Sequence, residues 1–165
     1  MTNLIEEEVD AIVNAANATS IGGAGVDGAV HKACGPGLAT ECRTFARVNG
    51  DWCPTGTVRV TGAHDLTKVK HVIHTAGPVG ENPDLLASCY REAIKAANEN
   101  KLTSIAFPSI STGIFGYPLE SAAKTAIKTV AEELKKPGTL REVRWCFLDN
   151  RESFNAYRKA LDSQG

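Results

Sequence analysis

Three observations predict an α/β domain with helices on both faces of a largely parallel sheet. Strand-like and helix-like patterns alternate along the whole chain. No repeat, low-complexity run or linker divides it, and two strand-to-helix turns are rich in glycine and polar residues. In sheets of this kind ligands lie beyond the carboxyl ends of the strands, where loops turn into helices.

Val9 to Val13 is an apolar strand, followed by a glycine turn and a helix through His31. A second short helix is predicted from Gly37 towards Val48, ahead of the loop NGDWCPTG. Thr57 to Thr61 alternates at period two and Lys70 to Thr75 is mostly apolar, so both read as strands. AGPVGENPD is a turn-rich connection. Between Asp84 and about Asn100, the residues Leu85, Leu86, Cys89, Tyr90, Ala93, Ile94 and Ala97 recur at helical spacing. Ser104 to Phe107 is a strand that runs into PSISTGIFGYP. Leu119, Ala122, Ala123, Ala126, Ile127, Val130 and Leu134 then mark one face of a helix. Arg141 to Leu148 is a last strand, and Ser153 to Leu161 a closing helix.

The composition narrows the function. A chain of 165 residues fits one domain, spanning residues 1–165, that buries its core without staples. With 42% hydrophobic residues, 22% charged residues and a formal charge of -1, it is globular and carries no bulk attraction to nucleic acid or membrane. Five scattered cysteines, none spaced CxxC, argue against a disulfide framework and a zinc site and suit a reducing cytosol. Cys34, Cys89 and Cys146 sit among apolar neighbours and read as core residues. No segment reaches the roughly 18 apolar residues of a membrane span, and no signal peptide is visible, so a cytoplasmic protein is expected.

The two glycine turns carry the chemistry. In IVNAANATSIGGAGVDGAVHKACG, Gly22, Gly23, Ala24 and Gly25 leave room for a ligand to reach the backbone, and the next helix aims free N–H groups at it. Asn14 and Asn17 offer amides at a strand end, suited to sugar hydroxyls, and Asp27 adds one carboxylate near the helix start. The plainer alternative is a tight turn capped by asparagines, with Asp27 as a favourable first-turn acid. The turn matches neither GxxxxGK[ST] nor GxGxxG with its later acidic residue, which disfavours a P-loop nucleotidase and a nicotinamide oxidoreductase. In the second turn, Ser111, Thr112, Gly113 and Gly116 supply hydroxyls and free backbone around Phe115, an aromatic that faces a base or ribose or else plugs the turn. Two such turns from different strands point to one diphosphate held between them.

Taken together, VDAIVNAAN, the GG-x-GVDGA-V-H turn, CPTG, VIHTAGP and FPSISTGIFGYP resemble the macro domain family, and its MacroD-type branch in particular. The motifs stand in the family's order and cover nearly the whole chain. The resemblance implies a three-layer α/β/α fold with a mixed, largely parallel central sheet, and a hydrolase that acts on ADP-ribosylated acidic side chains or on O-acetyl-ADP-ribose. It implies that Asn17 holds the distal ribose and Asp27 acts on or beside the attacking water. Gly23, Ala24, Gly25 and Val26 line one side of the diphosphate and distal ribose; Ser111, Gly113, Ile114, Phe115 and Gly116 close the other.

Two departures stand out. The family usually carries GGGG where this chain has GGAG; the methyl group of Ala24 is tolerable at negative φ and costly at positive φ. Relatives also begin with a strand leading into GDIT, whose aspartate bonds the adenine amine, whereas Met1 and Thr2 stand where its last two residues would be. The expectation is therefore a sheet without that edge strand and weaker adenine recognition.

A helix start favours the charged form of Asp27, which makes it a weak base at neutral pH, so it is expected to position the water while the substrate's own diphosphate helps with the proton. No metal or cofactor is expected. His31, four residues along from Asp27, pairs with it or faces solvent, and His71 and His74 point to opposite sides of their strand. The expected partners are ADP-ribose with ADP-ribosylated proteins or O-acetyl-ADP-ribose, and the expected state is a monomer. The competing readings are a non-catalytic ADP-ribose reader and an RNA binder; the absence of basic runs disfavours the latter.

Overall fold

The computed structural model describes residues 3–113, 115–148 and 150–164. Five strands form one sheet: β1 (Ala11–Ala16), β2 (Val58–Gly62), β3 (His71–Ala76), β4 (Ser104–Phe107) and β5 (Glu142–Trp145), in the order β2-β3-β1-β4-β5. The pairs of β1 with β3, β1 with β4 and β4 with β5 are parallel, and only edge strand β2 runs antiparallel, against β3. The helices are α1 (Gly25–Cys34), α2 (Pro36–Cys42), α3 (Pro83–Glu99), α4 (Leu119–Leu134) and α5 (Arg151–Gln164). The fold is the predicted mixed α/β architecture.

Alternation along the strands divides the core in two. Ala11, Val13, Ile73, Ile105 and Phe107 face a cluster with α3, α4 and α5. Ile12, Ala16, Val72, Ala76 and Ala106 face the opposite cluster with α1 and α2. The stripe Ala122, Ala123 and Ala126 on α4 is small and fully buried, which lets its neighbours approach. Phe107 and Trp145 stack at 5.6 Å beneath them.

Several predicted bounds shift: β1 runs Ala11–Ala16 rather than Val9–Val13, and α5 spans Arg151–Gln164 rather than Ser153–Leu161. The second helix ends at Cys42, well short of Val48, because Thr44 Oγ1 donates to the Glu41 carbonyl at 2.6 Å and the backbone turns. The last strand is four residues rather than eight: β5 pairs residue for residue with β4, and β4 supplies only Ser104–Phe107. A short 3₁₀ turn at Leu4–Glu6, started by Asn3 accepting from Ile5 N at 3.3 Å, was not legible in the sequence. Among the described residues no strand precedes β1, and the sheet edges are β2 and β5; Met1 and Thr2 lie outside those residues. No helix among them is long and apolar enough to cross a membrane.

This topology positions one crevice. β3 lies on one side of β1 and β4 on the other, so the loops leaving the carboxyl ends of β1 and β4 diverge and open a gap. The third wall follows β5.

Candidate functional site

A cavity of about 490 Å³, within the range of small-molecule sites, lies at those carboxyl ends. Its first wall is Asn17, Gly23, Ala24, Gly25, Val26 and Asp27; its second includes Ser111, Thr112, Gly113 and Phe115. Of the other sequence candidates, Gly22 and Gly116 stand in the turns but do not line the cavity, and Ile114 lies outside the described residues.

Helix α1 starts at the cavity with no side-chain cap on its first turn. Its leading N–H groups have no partner inside the helix, and the helix dipole adds positive potential there. Ala24 adopts φ -94, so the methyl group that replaces the family's glycine causes no backbone strain. Gly22 and Gly25 do need glycine's freedom, at φ +83 and +62. Gly28 has a different reason. A Cβ there would collide with the carbonyl oxygen of Gly23, so its absence lets the loop fold down onto the helix.

The opposite loop is held by Tyr117 N donating to Ser111 O and Gly116 N donating to Gly113 O, both at 3.0 Å. Ser111 sits at φ 68, a sparsely populated conformation for a residue with a side chain. Its hydroxyl is buried and makes no hydrogen bond among the described residues. Gly77, after β3, makes this possible, because a Cβ there would strike Ser111 Oγ. Ser111 lines the cavity while its hydroxyl is packed in against Gly77 without a partner, and a ligand that draws the hydroxyl into the cavity would supply one. Phe115 is partly exposed on the same wall, and its carbonyl accepts from Gly80 N at 2.8 Å. That exposure favours the ligand-facing alternative over the plug.

Asp27 is buried at 5% exposure, on the inward face of α1 with Val30 and Cys34. A carboxylate thus occupies the first position of a helix's apolar stripe. Asn14 Nδ2 donates to its Oδ1 at 2.8 Å, and His31 Nε2 lies 3.3 Å from the same oxygen without hydrogen-bond alignment. Asp27 Oδ2 stands beside Gly23, where a Cβ would be 3.4 Å away, at the cavity wall. One oxygen is anchored and the other faces the space a ligand would fill.

Asn14, expected to offer its amide to a sugar, is fully buried behind this wall. The register pairs it with His74 on the neighbouring strand, both facing α1, and Asn14 Nδ2 also donates to His74 Nδ1 at 3.1 Å. Thr61 Oγ1 donates to Gly62 O and stands 3.0 Å from His74 Nε2, so it accepts the ring hydrogen there. His74 is therefore the neutral Nε2–H tautomer. Burial pushes its pKa down to about 3, His31 adds to the depression, and Asp27 opposes it. A proton on Nδ1 would face the Asn14 NH₂ donor to donor. Turning that amide over would then set its oxygen against Asp27 Oδ1, so a neutral His74 is what keeps Asn14 aimed at Asp27.

Asn17 is arranged differently. Its Oδ1 accepts from Thr19 N, Thr19 Oγ1 and Ser20 N, at 2.9, 2.9 and 3.1 Å, and its carbonyl accepts from Trp52 Nε1 at 2.9 Å. The loop geometry consumes the oxygen, while the amide nitrogen makes no hydrogen bond among the described residues.

The sequence reading missed the third wall and the support beneath the first. Phe147, Leu148 and Asn150 after β5 line the cavity, with Leu148 58% exposed. The signal was available: an apolar pair at the carboxyl end of a parallel strand falls where such sheets bind ligands. His74 was readable only through its register with Asn14. The thiols of Cys34, Cys42 and Cys53 are pushed up to about 11, about 12 and about 11 by burial, which leaves them protonated and unreactive at neutral pH. Among the described residues no three His, Cys, Asp or Glu side chains converge on a point where a metal ion would sit.

Asp27 is the one charged side chain among the described residues lining the cavity. An anion there must be held by main-chain N–H groups, the helix start and hydroxyls rather than by lysine or arginine.

Comparison with known proteins accords with this geometry. A Macro domain-containing protein of Caldanaerobacter subterraneus is 47% identical, over 97% of this chain and 92% of its own length. Human ADP-ribose glycohydrolase MACROD2 is 50% identical over 78% of this chain, which spans 30% of that longer protein. A Trypanosoma brucei macrodomain solved in complex with ADP-ribose superposes with a TM-score of 0.86 at 42% identity, covering 96% of this chain and 66% of that one. The Macro domain family model matches residues 13–126. The chain belongs to the macro domain family.

Proposed function

We propose that this protein binds ADP-ribose along the cavity and hydrolyses an ester at its distal ribose, releasing ADP-ribose from acidic protein side chains or acetate from O-acetyl-ADP-ribose. The diphosphate lies between the start of α1 and the Ser111–Gly113 backbone, which supply N–H groups and one waiting hydroxyl. The third wall, where buried Phe147 backs the exposed Leu148, suits a flat base. Asn17 gives its free amide hydrogens to a ribose hydroxyl. Similarity to a macrodomain crystallised with ADP-ribose and to a named ADP-ribose glycohydrolase supports the same reading.

One observation carries the catalytic half: Asp27 has one oxygen anchored by Asn14 and the other turned to the cavity. Held this way, the carboxylate orients a water against the ester carbonyl. The water oxygen bonds to that carbon, the bond from the carbon to the ribose oxygen breaks, and the water's proton leaves by way of a substrate diphosphate oxygen to the departing ribose oxygen. The products are ADP-ribose and a free carboxylic acid. Holding the reactants in position lowers such a barrier by up to roughly 7–11 kcal/mol in the best intramolecular models.

The test sets a peptide mono-ADP-ribosylated on glutamate beside O-acetyl-ADP-ribose as substrates. Turnover of at least one is expected, and binding without release would identify a reader. Asp27→Ala is expected to keep measurable ADP-ribose affinity and to lose turnover by roughly a hundredfold or more. Turnover at the unmodified level would remove Asp27 from the mechanism.

A further inference from the structure

A second cavity, of about 400 Å³, lies behind the Asn17 loop, lined by Ile21, Cys42, Arg43, Phe45, Arg47 and Trp52. Its chemistry is the reverse of the first. Arg43 and Arg47 are exposed at its rim, and Arg59 extends the patch with its guanidinium 5.9 Å over the Phe45 ring. None of the three arginines has a carboxylate within ion-pair distance among the described residues. Arg47 is held by carbonyls, Thr19 O at 2.9 Å and Gly50 O at 2.6 Å, and Arg59 by Val58 O at 2.9 Å. The nearby Glu41 is already engaged with His64 at 2.7 Å and with Gly62 N. In a chain with a net charge of -1, three guanidiniums without an ion pair, two lining this cavity and the third over Phe45, make a local field that attracts anions.

Its position relative to the first cavity gives the patch a use. Ser20 lines the first and Ile21 the second, so consecutive residues, about 3.8 Å apart at Cα, form the wall between them. Trp52 braces that wall by donating from Nε1 to both Asn17 O and Ser20 O. A polypeptide leaving an ester at the Asn17–Asp27 end crosses this wall within two or three extended residues, at about 3.3 Å each.

We infer that the arginine cavity is an acceptor subsite, which recognises carboxylate side chains two to four positions from the modified residue of an acidic polypeptide substrate. This rests on the proposed hydrolysis at the distal ribose. The subsite favours acceptors whose modified glutamate or aspartate lies within an acidic run, and it does nothing for O-acetyl-ADP-ribose, which has no chain to reach it.

Two non-hydrolysable ADP-ribosyl peptides, one with glutamates flanking the linkage and one with glutamines, test this by fluorescence anisotropy beside free ADP-ribose. The unmodified protein is expected to bind the glutamate peptide about three- to tenfold more tightly, the range of one or two exposed ion pairs, with the preference fading at high salt. Arg43→Glu is expected to abolish the preference, Arg43→Lys to restore most of it, and both to leave the affinity for free ADP-ribose unchanged. Equal binding of the two peptides by the unmodified protein, or a preference that survives Arg43→Glu, would overturn the subsite. If free ADP-ribose binds normally in that case, the ADP-ribose site stands and its hydrolase role is decided by the turnover assay alone. If it does not bind at all, that reading falls and the subsite with it.

Discussion

His74 makes a quantitative prediction because it is a fully buried base whose protonation disrupts a carboxylate two hydrogen bonds away. Its pKa is about 3 in the folded protein against an ordinary value of 6.5. Between those values the unfolded chain binds a proton that the folded chain refuses, so stability rises with pH. The contribution is complete above about pH 6.5 and is lost as pH falls toward 3. At pH 5 the loss is set by the 1.5 units below the unfolded value, at 1.36 kcal/mol each, or about 2 kcal/mol. For a domain of this size, that lowers the melting temperature by about 4–8 °C. His31, with its ring 6.3 Å away, and Asp27, Cys42 and Thr61 stand around it, so the isolating comparison is His74→Gln. Glutamine keeps an acceptor toward Asn14 and a donor toward Thr61 but does not titrate. Thermal melts from pH 7.5 to 5 are expected to show the variant less stable at pH 7.5, with an acid slope flatter by about 2 kcal/mol over the interval. Parallel curves for the two proteins would mean that His74 is not the buried neutral base described here.

Ser111→Ala removes a buried hydroxyl that has no partner in the free protein, so its melting temperature should hold or rise slightly while ADP-ribose affinity falls about three- to tenfold by calorimetry; unchanged affinity would mean that the hydroxyl is not used. Gly28→Ala sets two effects against each other. Helix propensity favours alanine by about 1 kcal/mol, and overpacking against a backbone carbonyl costs about 1–3 kcal/mol. The collision with Gly23 O should win, giving a lower melting temperature and weaker ADP-ribose binding as the loop is displaced; a higher melting temperature would show that the loop gives way at no cost.

What was legible in the sequence follows from periodicity. Ser104–Phe107 and Leu119–Leu134 were predicted with the bounds they adopt, because each pattern ends at a proline or glycine turn. The short β5 was not, since its length is set by the strand it pairs with and not by its own composition. The site divides in the same way. The two glycine turns announce themselves locally, and their residues meet at one cavity. The pair Asn14 and His74, sixty positions apart, becomes visible only when the strands align. Yet one local clue pointed there. In α1 the positions 27, 30, 31 and 34 share one face, and three of them carry Asp27, Val30 and Cys34, all buried. A carboxylate in an apolar stripe needs a donor beneath it, because leaving it unpaired would cost several kcal/mol. The strand that leads into that turn is β1, whose even positions, Ile12, Asn14 and Ala16, face α1. Asn14 is the one donor among them. The buried acid therefore dictates its own support, and the asparagine that looks like a ligand contact in the sequence is better understood as the residue that fixes which oxygen of Asp27 is held and which is left without a hydrogen bond among the described residues.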